Sequence, residues 1–531
     1  MLTRRRLLHS LSALAAGATL DGCAKSAARI PGRLIDSGAA LGHRLRDGQL
    51  PGPSVARRAR VVVAGGGIAG LAAARALRKA GIDDVLVIDA LDAPGGNSSY
   101  GQNPVSAYPW GAHYVPLVRQ DCRPVFELFG DLKLIVDEDS AHRPVYDEYC
   151  LSADPQERLW IYGRWQDGLV PTLGNSADDD REFAAFFAET ERLKGLTGAD
   201  GRPLFAIPVD QSSADPAWRA LDSITFTDYL QQRGFRSARL HWYANYCCRD
   251  DYGSTAAAVS AWAGLHYFAA RTGSAANADS GTVLTWPEGN GHLVREIARQ
   301  ARAAHQKNSL VTHVAAAGDG AVVDYFDLAT QRTVRVDCTA AVVCLPHFVA
   351  ARVVEGASTQ GLDTFTYAPW MVANVTLSAL PGGRGQELAW DNVIYDSPLL
   401  GYVVATHQDL QLARRETVLT YYWPLSDADP ATARRAAYSR SLEEWQAAVA
   451  HDLLRVNPEL VGHIQNIDVR VWGHAMIRPT PGFIWGEARR QAGTHRPPLY
   501  FAHSDLSGIS IFEEAYCRGS EAGRLAALRA A

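Results

Sequence analysis

The residues best suited to chemistry in this chain begin with Gly65, Gly67 and Gly70, spaced as G-x-G-x-x-G within Gly65-Gly66-Gly67-Ile68-Ala69-Gly70. That spacing suits a dinucleotide. The first glycine permits a tight turn, the second lets a pyrophosphate approach the backbone, and the third lets a helix pack on a strand. A β-branched run, Arg60-Val61-Val62-Val63-Ala64, leads into the glycines, and the strong helix former Leu71-Ala72-Ala73-Ala74-Arg75-Ala76-Leu77 follows them. Free N–H groups and the dipole at the start of such a helix receive phosphates. Val85-Leu86-Val87-Ile88 reads as a second strand ending at Asp89, whose carboxylate can accept ribose hydroxyls and would repel a 2′-phosphate. Strand, glycines, helix, strand and acid in register define a Rossmann-type unit.

Five residues after Asp89 and Ala90 begin this stretch comes Gly95-Gly96, followed by Asn97. This D-x5-G-G extension resembles the flavin amine oxidase superfamily, and the resemblance recurs along the chain. Trp286-Pro287-Glu288-Gly289-Asn290-Gly291 is similar to the family's P-x-G-G segment, and Val314 falls in the short strand that meets the adenine there. Leu499-Tyr500-Phe501-Ala502-His503-Ser504-Asp505 resembles the C-terminal YFAGE strand, with Phe512-Glu513-Glu514-Ala515 beyond it. The resemblance implies FAD, held by Gly65, Gly67, Ile68, Ala69, Gly70, Asp89, Ala90, Gly95, Gly96 and Asn97. It adds Trp110, Gly111, Ala112 and His113 against the ring, Val314 at the adenine, and His503, Ser504, Asp505, Phe512 and Glu513 from the far end of the chain. Three positions depart from the pattern: Asn97 stands for an arginine, His503 for a small residue, and Glu513-Glu514-Ala515 for Glu-Gly-Ala.

In that family the flavin accepts a hydride at N5. The same resemblance offers His113, His474 and Phe483 as residues facing substrate. His113 is the first polar side chain past the ring contact, where it would orient substrate or carry a proton; a packed, backbone-bonded histidine is the equal alternative. A lysine that holds a water against N5 in the amine oxidases has no counterpart in Phe365–Asn374, and the last lysine of the chain is Lys307. The aromatic pair that flanks an amine there is Phe483 on one side and Ile511 on the other, which weakens cation–π capture of an ammonium. Arg249-Asp250-Asp251-Tyr252-Gly253 reads either as carboxylates for a polyamine or as a turn with a helix cap. Trp262, His266, Tyr267 and Phe268, at helical spacing, read as core.

Three functions follow as expectations. The first is an FAD-dependent oxidoreductase that oxidises an amine, with polyamines included. The second is a C–C desaturase or isomerase on a lipophilic substrate, which the missing lysine and Ile511 favour. The third is a flavin-loaded binding protein without turnover. Oxygen or a respiratory carrier would take the electrons.

Behind these residues stands an α/β chain: a discontinuous Rossmann-type FAD-binding domain over residues 58–120, 281–345 and 470–531. Residues 121–280 and 346–469 form an inserted α+β substrate domain. Gly318-Asp319-Gly320 marks a hairpin. Helices start at Thr225 and Ser441, and residues 195–220 read as a surface excursion. The first 23 residues, opening Thr3-Arg4-Arg5-Arg6-Leu7-Leu8, resemble a twin-arginine export signal. Leu20-Asp21-Gly22-Cys23 resembles a lipobox, so a periplasmic protein with a lipid on Cys23 is expected, and residues 24–57 read as a linker.

With 531 residues, 47% of them hydrophobic, and 21% charged, the chain is neither disordered nor a small scaffold. A net charge of −5 gives no basic field for nucleic acid. Eight cysteines are too few for a disulfide framework and read as buried thiols. They lack C-x-x-C spacing, so no metal is expected.

Overall fold

The computed structural model describes residues 29–48, 50–357, 359–409 and 414–531. The arginine-rich start and Cys23 lie outside the described residues.

A five-stranded sheet carries the glycine motif. Its strands are all parallel and stand in the order Ala304–Gln306, Val85–Ile88, Val61–Ala64, Ala340–Val343, Leu499–Phe501. In chain order this is third, second, first, fourth, fifth, the doubly wound arrangement whose crevice opens where the order reverses. The strands at Val61 and Val85 are buried at every residue, as a sheet covered on both faces requires. Helix Ile68–Lys79 covers one face, and the last helix, Phe512–Ala530, packs along it. A second sheet pairs Ser309–Ala317, Gly320–Asp327, Arg332–Cys338 and Pro53–Arg58, with the expected hairpin turning at Gly318-Asp319.

The other side of the molecule is an eight-stranded sheet running from Leu34–Ile35 through Ile464–Ile477 and Tyr367–Leu377 to Glu157–Ile161 and Arg164–Asp167. Helices Phe226–Gln232 and Leu442–Val456 begin at Thr225 and Ser441, each closing a capping box with Asp228 or Glu444. All seven described cysteines are buried and unpaired.

Three sequence expectations change here. Among the described residues of the linker 24–57, three elements form, beginning at Leu34. Leu34–Ile35 pairs with Val469 and Arg470, helix Ala39–Arg46 follows, and Pro53–Arg58 joins Arg332–Cys338. This strap touches both sheets, and only its distant partners give it form. The boundary at 469/470 cuts a continuous strand, Ile464–Ile477, because that strand belongs entirely to the eight-stranded sheet. The excursion at 195–220 is anchored: Leu204, Phe205, Ile207 and Val209 are buried in one core with Trp262, and His266 donates to the Ala206 carbonyl at 2.9 Å.

Candidate functional site

The turn after Val61–Ala64 is built for close approach. Gly65 has φ +105°, and a Cβ there would lie 2.5 Å from the Cys344 carbonyl oxygen of the neighbouring strand end. At Gly70 a Cβ would lie 1.8 Å from the Gly65 oxygen. Around Gly67, by contrast, nothing lies within 4 Å of a Cβ position, and Gly67 caps the helix that starts at Ile68. The backbone there faces an open cleft with helix N–H groups directed into it, which is the arrangement a phosphate needs. Asp89 closes this corner. Its Oδ2 accepts from Gly66 N–H at 2.6 Å and its Oδ1 from Leu91 N–H at 2.8 Å, while burial raises its carboxyl.

The cleft has a volume of about 1030 Å³. Gly65, Gly67, Ile68, Ala69, Asp89, Ala90, Gly95, Gly96, Asn97, Ala112, His503, Ser504, Asp505 and Phe512 all line it, and so does His474. Residues 380 or more positions apart in the chain therefore meet around one space. Asn97 donates its amide to the Ala475 carbonyl, which ties the second glycine turn to the Ile464–Ile477 strand. Asp505 accepts from the Tyr367 hydroxyl at 2.7 Å and the His347 N–H at 2.9 Å, and its own backbone N–H donates to His503 Nδ1 at 3.1 Å. Burial would raise its carboxyl, but His503 and these hydrogen bonds outweigh that and hold it below the usual carboxylate range. A dinucleotide fits this donor set: helix N–H groups for the phosphates and a buried acid for the ribose.

The other expected site residues stand elsewhere. Gly70 is a packing glycine between helix and turn. Val314 is in the core, paired with Val323; a register shift between Val311 and His313 leaves Val311 on the same face as Val314, and it is Val311 that reaches the cleft. Gly111 is required by the protein itself, since a Cβ would strike the Asn97 oxygen at 2.3 Å. Trp110 is buried and accepts from Trp472 Nε1 through its carbonyl. His113 lies outside the cleft lining, stacked on Tyr422 at 4.5 Å with Tyr114 and Trp390 around it. Burial pushes its imidazole down to about 4, so it is neutral at pH 7. Phe483 packs edge-on against Phe365 in a small separate core. Glu513 is fully inside, its carboxyl pushed up to about 7 by burial, while Phe512 beside it reaches the cleft.

Sequence reading missed several cleft residues. Ser309, Leu310 and Val311 line it, and so do strap residues Ser37, Gly38, Leu41, Gly42 and His43. Arg352 and, from helix Pro430–Ser439, Arg434, Arg435 and Tyr438 add to the wall. No local motif announces them, for their positions depend on which sheets their elements join.

A second cavity, of about 840 Å³, has a different character. Asp154, Glu157, Asp167, Asp279 and Glu387 line it, with no Lys, Arg or His among the lining residues. Glu157 stands directly opposite Asp391 on adjacent parallel strands. Asp391 is pushed well above the usual carboxylate range by burial, then by Glu157 and Asp250. Asp250 is pushed up to about 7 by burial, then by Asp251, with Arg271 opposing. The same acids act on Tyr246 and Tyr422, and the Tyr422 hydroxyl donates to the Gly111 carbonyl at 2.9 Å, beside cleft-lining Ala112. An acidic and aromatic succession thus runs from the second cavity toward the cleft.

Comparison with known proteins agrees with this architecture. Residues 63–132 match the NAD(P)-binding Rossmann-like domain family. Wild-type putrescine oxidase bound to putrescine superposes with a TM-score of 0.62 at 16% identity, covering 89% of this chain and 99% of that one. Cyclohexylamine oxidase from Brevibacterium oxydans IH-35A gives 0.61 at 17% identity, over 89% and 99% of the two chains. The fold is shared with the amine oxidases. It is also shared with a CLA-producing fatty acid isomerase from P. acnes, with a TM-score of 0.59 at 15% identity over 88% and 98%. The sequence matches no curated protein.

The glycine corner yields a first expected result. Gly70→Ala must push a methyl into the Gly65 carbonyl, so helix and turn have to separate. Overpacking of this kind costs about 1–3 kcal/mol. Differential scanning calorimetry is expected to show a lower Tm, and the purified protein a reduced nucleotide content.

Proposed function

We propose that this chain is an FAD-dependent oxidoreductase that oxidises an amine entering as a cation. The observation that carries the amine is the second cavity, lined by five carboxylates and no cationic side chain. Bound FAD supplies the hydride acceptor. The chain supplies the rest. The Gly65–Gly70 turn and the helix after it hold the diphosphate, and Asp89 holds the ribose. The carboxylates that line the second cavity, Glu157 among them, attract the ammonium inward. Asp250, with a carboxyl near 7, can take the proton that an ammonium must shed before its C–H bond is broken. Tyr246, Tyr422 and His113 form apolar walls that exclude water.

A second reading has its own support. Strand Tyr367–Leu377 is buried at every residue and carries no lysine, and Ile511 lines the cleft. Both favour C–C chemistry on a lipophilic substrate, the kind of reaction named for the isomerase neighbour. Anaerobic flavin absorbance separates the two. Bleaching by a monoamine or polyamine is the expected result; an intact band across an amine panel, with bleaching or turnover on an unsaturated lipid, would overturn the amine reading. The arginine-rich start supports export of the loaded protein, with a lipid on Cys23, and fractionation of cells expressing Arg4→Lys/Arg5→Lys tests it through retention of the flavoprotein in the cytoplasm.

A further inference from the structure

The outer mouth of the nucleotide cleft carries an excess of positive charge that the proposed function does not use. Arg352, at the end of helix His347–Val353, lines the cleft together with Arg434 and Arg435 of helix Pro430–Ser439 and with His43 of the strap. Among the described residues none of the three guanidiniums forms an ion pair with a carboxylate within 4 Å; Asp429 acts on Arg434 and Arg435 only from further away. Arg352 donates to the Phe348 carbonyl, Arg434 to the Gly473 carbonyl at 2.6 Å and the Tyr367 carbonyl at 3.4 Å, and Arg435 to Thr432 Oγ1 at 2.9 Å. Of the cleft-lining carboxylates, Asp89 and Asp505 are both engaged by donors of their own. His474 registers the resulting field: its imidazole is pushed down to about 4, by burial first and then by Arg434 and Arg352. It also stacks on Phe348 at 4.3 Å, which fixes it in the wall beneath these arginines.

Three guanidiniums without an ion pair, on two elements lining one cavity, constitute a site for a multiply charged anion, since guanidinium geometry matches phosphate oxygens. Their presence also bears on Asn97, the position that lacks an arginine after the paired glycines. We propose that Arg352, Arg434 and Arg435, with His43, bind a diphosphate-class anion at the mouth of the cleft. That chemistry has two sources: the diphosphate of the flavin nucleotide itself, or a second phosphorylated ligand. Only the first source rests on the FAD reading.

The test compares wild type with Arg352→Gln/Arg435→Gln. Those two side chains bond only within their own helices, so the walls held by Arg434 stay in place. FAD is titrated into apoprotein by flavin fluorescence at several salt concentrations, and inorganic pyrophosphate into holoprotein by calorimetry. If the anion is the nucleotide's own, the variant weakens FAD binding at least tenfold with a shallower salt dependence, and holoprotein binds no pyrophosphate. If it is a second ligand, FAD affinity stays within twofold while holoprotein binds pyrophosphate and the variant does not. Arg352→Lys/Arg435→Lys retains charge and is expected to keep most of the binding in either arm, which separates charge from packing. Equal FAD affinity together with equal pyrophosphate binding, or none in either protein, would overturn the proposal. Should wild-type protein bind no FAD at all, the FAD reading falls and pyrophosphate binding alone decides the site.

Discussion

Protein carrying Gly67→Val is expected to purify folded and colourless. The reason lies in the contrast between Gly67 and Gly70, which share a motif and have opposite surroundings. A Cβ at Gly70 meets the chain's own backbone, whereas one at Gly67 meets nothing within 4 Å. The valine side chain therefore costs the apoprotein little, and thermal denaturation without nucleotide should match wild type within a few degrees. It occupies the space through which a diphosphate must reach the helix N–H groups, so FAD affinity should fall by a factor of 100 or more. Equilibrium dialysis of apoprotein against FAD measures this directly. Retention of a full flavin band in the variant would mean that the diphosphate is held elsewhere.

The second large effect concerns Asp250 and Asp391. In the folded chain the Asp250 carboxyl stands near 7, above its ordinary value of 3.8. A carboxyl raised on folding favours the folded state while it is protonated. Its contribution is complete below about 3.8 and is lost as pH rises through 7. Apoprotein Tm should therefore decline from about pH 4 to about pH 7 and level off above it, and Asp250→Asn, which stays neutral, should flatten that decline. Substrate capture runs the opposite way, because a cationic amine needs the ionised acid. KM for the best amine should fall as pH rises through 7. Asp250→Asn should raise KM tenfold or more and remove the pH dependence, whereas Asp391→Asn, at a carboxyl that burial and its acidic neighbours keep from ionising, should leave KM within about twofold. Unchanged KM in Asp250→Asn would mean that the acidic cavity does not lead to the reacting amine.

What the sequence makes legible and what it hides divide along a physical line. The glycine turn, the ribose acid and the capping boxes at Thr225 and Ser441 depend on neighbours a few residues away, so residue type and spacing suffice. Val311 and Val314 share a face only because the ladder is irregular between Val311 and His313, and that irregularity leaves no mark in the residues themselves. Analogy of position puts His113 and Phe483 at the substrate, and in the structure each packs on an aromatic neighbour outside the cleft lining. Arg352, Arg434 and Arg435 carry no motif at all, since their convergence is a product of tertiary packing. Gly111 shows the converse: the glycine is legible in the sequence, and the Asn97 carbonyl that a Cβ there would strike is not.

The strap has a kinetic consequence. Arg33 N–H bonds to Asp468, 435 residues away along the chain, and the neighbouring Leu34–Ile35 pairs with the strand that contains it. Contacts so distant in sequence form slowly and late, because the whole intervening chain must first be brought together. The wall that residues 37–46 give the cleft is consequently among the last pieces to arrive. Until then the nucleotide can come and go; afterwards its departure requires contacts between the two far ends of the chain to open. Loading and final assembly thus become one event, and a chain truncated before residue 464 has no way to complete it.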